Sequence, residues 1–145
     1  MIRQKIVLPQ YDNWEIYAYY AVSQYYVEDI MDHLYRIGIR GRNAKEAYEN
    51  LTDNRLDTGL CYSNKSMRKS VIVVALASSP KEYLNSITHE ATHACVHIAD
   101  EMGVNHRSED FAYMVGELSR EIYPKVCHLL CNCHSKEHKR KRYDL

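Results

Sequence analysis

Apolar positions along the chain change period several times, and each change marks an element. From Trp14 to Val22 they alternate, placing Trp14, Ile16, Ala18, Tyr20 and Val22 on one side of an extended chain, which predicts a strand. A helix beginning at Trp14 is the alternative. Residues 6–8, just before Pro9, predict a shorter strand. Beyond Ser23, which is placed to cap a helix, Val27, Ile30, Met31, Leu34 and Ile37 keep a three-four rhythm that Gly38 ends. Residues 43–51 predict a second helix with Ala44, Ala47, Tyr48 and Leu51 facing inward. Residues 57–63 and 70–77 predict the arms of a hairpin around a polar, basic turn at 64–69. The second arm is almost continuously apolar, as in a strand covered on both faces.

The clearest helix start follows. Ser79 is the expected N-cap, Pro80 sits at the first helical position and Glu82 completes a capping box. The helix should run to about Met102 and stop at Gly103. At about 100° per residue, Leu84, Ile87, Ala91, Ala94, Ile98 and Met102 form its apolar stripe. Glu82, Ser86, His89, His93, His97 and Asp100 form a separate row, with Glu90 at its edge. Ser108 should cap another helix, with Glu109 and Asp110 in its first turn, where the dipole favours acids. Phe111, Val115, Leu118 and Ile122 mark its core side, and Pro124 is expected to break or kink it.

The chain has 145 residues and zero formal net charge, so no global field draws it toward nucleic acid or membrane. The expected organisation is one domain over residues 1–135 and a basic, mobile tail over 136–145. No stretch reads as a signal peptide or a membrane span, and five cysteines without secretory context predict reduced thiols and a cytoplasmic location. Thirteen tyrosines stand against one tryptophan and one phenylalanine, which predicts half-buried surfaces whose hydroxyls find partners.

The chemistry concentrates in His89-Glu90-Ala91-Thr92-His93. Two histidines four apart on a helix project from one face and can share a zinc ion, and the glutamate between them can act as general base. A catalytic zinc needs a third protein ligand and an open position. Glu109 is the leading candidate, because a loop over 104–108 spans roughly 16 Å at ~3.3 Å per residue, enough to climb back toward His93. Glu117 suits a longer return; His97, Asp100, His106 and Asp110 are weaker.

The capped H-E-x-x-H helix, the hairpin before it and Glu109-Asp110-Phe111-Ala112-Tyr113 after it together resemble the gluzincin branch of the zincin-like metallopeptidases. The likeness is greatest to compact forms found in phages and mobile elements, including repressor-cleaving immunity proteases, and covers roughly residues 57–122. It implies one Zn2+ held by His89, His93 and Glu109, with Glu90 activating water for peptide hydrolysis. It also implies that the strand carrying Val71, Val73 and Ala75 edges the cleft and pairs with substrate. Tyr113 stands where the large thermolysin-like enzymes carry an aspartate, which implies different surroundings for the ligands. A donor to the transition-state oxyanion is also required; His97, His106, Tyr113 and Tyr123 are the candidates.

Cys127, Cys131, Cys133 and His134 could hold a second metal, although Cys127 and Cys131 could equally face the core. Cys61 and Cys95 read as small buried hydrophobes. The Lys139–Arg142 run is the only hint of nucleic acid. The expected fold is therefore α+β and zincin-like: a small, mostly antiparallel sheet beside the H-E-x-x-H helix and the Glu109 helix. The leading function is a zinc metallopeptidase acting on a protein or peptide. The alternative is a non-catalytic zinc-binding adaptor.

Overall fold

The computed structural model describes residues 1–23, 26–53 and 59–131. Among these, the order of elements is β1 (Ile2–Leu8), β2 (Trp14–Val22), α1 (Val27–Arg36), α2 (Gly41–Thr52), β3 (Gly59–Asn64), β4 (Lys69–Ala75), α3 (Pro80–Met102) and α4 (Glu109–Val126). Short 3-10 turns at Pro9–Tyr11 and Cys127–Leu129 complete it. The class is α+β. One mixed sheet runs β1-β2-β4-β3; its outer pairings are antiparallel and the central β2–β4 pairing is parallel. That parallel pair requires a long crossover, which α1 and α2 supply.

Strand side chains alternate between faces, and here both faces are buried. Trp14, Ile16, Ala18 and Tyr20 of β2, with Ile72 and Val74 of β4, pack against α3 and α4. Tyr19, Leu60, Val71 and Val73 pack against α1 and α2 from the opposite face. The apolar run of β4 is thus explained by two covered faces. Val22, expected in the Trp14 row, instead joins the second core. The reason is a bulge: pairing steps from Tyr19↔Val73 to Val22↔Ala75, so three residues on β2 answer two on β4 and the side-chain parity flips. Ala21 carries the strain at φ 56°, and its N–H donates to the Tyr83 hydroxyl at 2.8 Å.

The start and stop of α3 follow the sequence signals. Ser79 Oγ accepts the Glu82 N–H at 3.4 Å, Pro80 opens the helix, and Gly103 ends it at φ 70°, a conformation open to glycine without a Cβ penalty. Ser108 Oγ likewise accepts the Phe111 N–H at 3.2 Å at the head of α4.

Several expectations need correction. Ser23 does not cap α1, whose N-cap position is Tyr26 with no side-chain bond. Tyr48 and Leu84 are more than half exposed, and Tyr83 takes the inward position at the start of α3. Pro124 does not break α4, which continues to Val126. Cys61, Cys95 and Cys127 are free thiols, but Cys131 is disulfide-bonded, against the expectation of five reduced cysteines. Residues 57–58, Cys133, His134 and the basic tail lie outside the described residues.

Candidate metal centre

The histidine row occupies the flank of α3 that runs beside β3, one of the two outer strands of the sheet. His89 and His93 are exposed one turn apart, their Nε2 atoms 3.2 Å from each other and their rings nearly edge-to-face. Two imidazole nitrogens on one tetrahedral zinc, each about 2.05 Å from it, lie about 3.3 Å apart. The pair therefore fits two corners of such an ion; without one, the same distance is a single Nε2–H···Nε2 bond. Glu90, between them in sequence, is buried. It is 2% exposed and lies under the start of β3, where a Cβ added to Gly59 would meet Glu90 Cγ at 3.1 Å and the Val73 carbonyl oxygen at 1.9 Å. Glycine at position 59 (φ 153°) is what lets strand and carboxylate approach so closely.

His97, the next residue of the row, is held by a chain of hydrogen bonds that begins in the core. The indole N–H of Trp14 donates to Ser70 Oγ at 2.9 Å, the Ser70 and Ser63 hydroxyls are hydrogen-bonded across the hairpin at 2.7 Å, and Ser63 Oγ lies 2.7 Å from His97 Nδ1. Indole can only donate, and Ser70 is fully buried, so its own proton needs an acceptor. The arrangement that satisfies every group runs Trp14 to Ser70 to Ser63 to His97 Nδ1. It leaves the His97 proton on Nε2. Burial, reinforced by Lys65 and His93, pushes the His97 pKa down, so the ring favours the neutral form this chain requires. Cys61 faces the same ring, and burial, with a smaller contribution from Glu90, holds its thiol far above the ordinary range.

The remaining predicted residues are not gathered around the pair. Glu109 opens α4 and is exposed, and among the described residues no three His, Cys, Asp or Glu side chains converge as a metal-holding group. Glu117 is engaged by the side-chain amide of Gln10. His106 Nε2 lies 2.9 Å from Asp100 Oδ1, and its ring lies over Phe111. Tyr113 and Tyr123 are exposed on α4, and Tyr123 stands about 21 Å along the helix from Glu109 at 1.5 Å per residue.

The expected substrate edge is also displaced. β4, with Val71, Val73 and Ala75, is hydrogen-bonded to β2 on one side and β3 on the other, so its backbone has no free edge. The outer strand on this side of the sheet is β3, which pairs only with β4 among the described residues. Ser63, Ser70 and Trp14 were not singled out from the sequence. The two serines flank the predicted hairpin turn and are register partners, so the turn itself carried that signal. No protein-family model matches the chain, nor does any curated protein or solved structure. Among the described residues no helix is long and apolar enough to cross a membrane.

Proposed function

We propose that the protein is a zinc-dependent peptidase of zincin-like fold, with His89, His93 and Glu109 as ligands and Glu90 as general base. The observation that supports it best is the pair of Nε2 atoms at 3.2 Å, on a helix whose intervening glutamate is buried beneath the outer strand. Zinc, when bound, supplies Lewis acidity and acidifies water at that position. The chain's own residues do the rest. His89 and His93 offer their Nε2 atoms as ligands, Glu90 takes a proton from water and delivers it to the leaving amine, and β3, packed over the Glu90 side chain, limits bulk water around it. The free edge of β3, in place of β4, receives an extended peptide by strand addition.

The exposed position of Glu109, outside any three-ligand group among the described residues, favours a second reading: a non-catalytic adaptor domain that binds zinc through the histidine pair. Metal analysis of wild type, His89→Ala and Glu90→Gln separates the two. One zinc per chain in wild type and Glu90→Gln, lost in His89→Ala, together with peptide-library cleavage abolished by Glu90→Gln, supports the peptidase. Zinc without turnover supports the second reading, and no zinc in any of the three rejects both.

A further inference from the structure

On the sheet face opposite α3, β1, β2 and α1 enclose a cavity of about 310 Å³. Its lining includes Arg3, Lys5, His33, Arg36, Tyr17 and Tyr19, and among the described residues no carboxylate lines it. The placement follows from register. Arg3 is paired with Tyr19 and Lys5 with Tyr17 across the antiparallel β1–β2 ladder, so each cation lies over its neighbour's ring, at 5.9 Å and 5.5 Å from the centroids. His33 and Arg36, three apart on α1, close the opposite wall, with the His33 ring edge-on to Tyr17 and its Nδ1 hydrogen-bonded to the Tyr19 hydroxyl.

We propose that this cavity binds a phosphate dianion, free or as the monoester of a small molecule, between Arg36, Arg3 and Lys5, with the His33 and Tyr19 pair at its floor. Three cations, Arg3, Lys5 and Arg36, converge on this one concavity. Arg36 forms no ion pair among the described residues. Arg3 is paired with Asp29 at 2.8 Å, but both side chains are more than half exposed, so the pair is weak and the guanidinium can turn inward. Lys5 shares Glu15 with Lys69, which leaves two ammonium groups for one carboxylate. The field is felt at the imidazole: after burial, Arg36, Lys69 and Arg3 all disfavour protonated His33. An arginine fork and a dianion are matched in geometry as well as charge.

The test uses the full chain at constant ionic strength, titrated with inorganic phosphate and with phenyl phosphate while the His33 ring resonances and binding heat are followed. Saturable binding is expected, with His33 titrating at higher pH in the complex because the dianion offsets the surrounding cations. Arg36→Gln and Arg3→Gln should each weaken binding about ten- to hundredfold, as for loss of a charge-assisted hydrogen bond. Arg42→Gln, on the exposed side of α2, should leave it unchanged. Tighter binding of phenyl phosphate identifies the monoester as the ligand, and equal binding identifies the phosphate group alone. Chloride acting as phosphate does, or undiminished binding in both pocket variants, overturns the proposal. The cavity lies across the sheet from His89 and His93, so neither result depends on zinc.

Discussion

Ser63 of the outer strand and His97 of the histidine helix are joined by a 2.7 Å hydrogen bond that ties the ring, through Ser70, to the indole of Trp14. Ser63→Ala removes the middle of that chain. It leaves the buried Ser70 hydroxyl without its acceptor and His97 Nδ1 without its donor, so a loss of about 1–2 kcal/mol is expected in chemical denaturation. Nitrogen chemical shifts should show a single Nε2–H tautomer of His97 in wild type and a mixture in the variant. A mixture already present in wild type rejects the assigned direction.

Gly59→Ala tests the contact between β3 and Glu90. The new methyl group would stand 1.9 Å from the Val73 carbonyl oxygen, so the strand must move and with it the cover over the carboxylate. Overpacking of this kind costs about 1–3 kcal/mol. Gly116→Ala on α4, where an added Cβ meets nothing within 4 Å, is the matched control and should be neutral or slightly stabilising. Equal denaturation midpoints for the two variants would contradict the close approach of strand and helix.

Local chemistry explains why some of this was legible in the sequence and some was not. The bounds of α3 are written in Ser79, Pro80 and Gly103, each acting within one turn, and they appear where expected. The two-sided burial of β4 is written in its unbroken apolar run. Strand order is not, because it depends on which arm of the hairpin meets β2 after two intervening helices. The hairpin of β3 and β4 therefore reads correctly while the free edge falls on the wrong arm. Val22 fails for the same kind of reason: period-two reasoning holds only until Ala21 inserts a bulge, and nothing in the local pattern announces one. In the site, spacing along one helix brings His89 and His93 together, whereas Glu109 belongs to another helix and its distance from them is a matter of tertiary packing.

Glu15 makes acid stability measurable. Hydrogen bonding to Lys5, aided by Tyr17 and Lys69, draws its pKa from an ordinary 4.5 down to about 2. A carboxylate whose pKa is lower in the folded state contributes its full stabilisation above pH 4.5 and loses it as pH falls toward 2. Because the neighbouring lysines are partly exposed, solvent screening reduces the contribution to about 1 kcal/mol. Glu15→Gln should therefore be less stable than wild type at pH 6 and nearly equal to it near pH 2. A constant difference across that range would mean the loss comes from packing and not from charge.

For the proposed zinc site, the choice of third ligand lies between two glutamates on one helix. Glu109 and Glu117 are eight residues apart on α4, about 12 Å at 1.5 Å per residue, so only one of them can serve the His89–His93 pair. Glu117 is half-buried and already accepts from the Gln10 side chain, so swinging it to a metal would sacrifice that bond. Glu109 is exposed at the first helical position and has no such hydrogen bond among the described residues. Glu109→Ala should weaken zinc by at least the ~10–100-fold that loss of even an outer partner costs, while Glu117→Ala should leave zinc affinity within about threefold and show its effect in stability. Competition with a chromophoric chelator measures both. The reverse order of affinities would move the ligand to Glu117, and wild-type affinity in both variants would leave the histidine pair without a glutamate partner from α4.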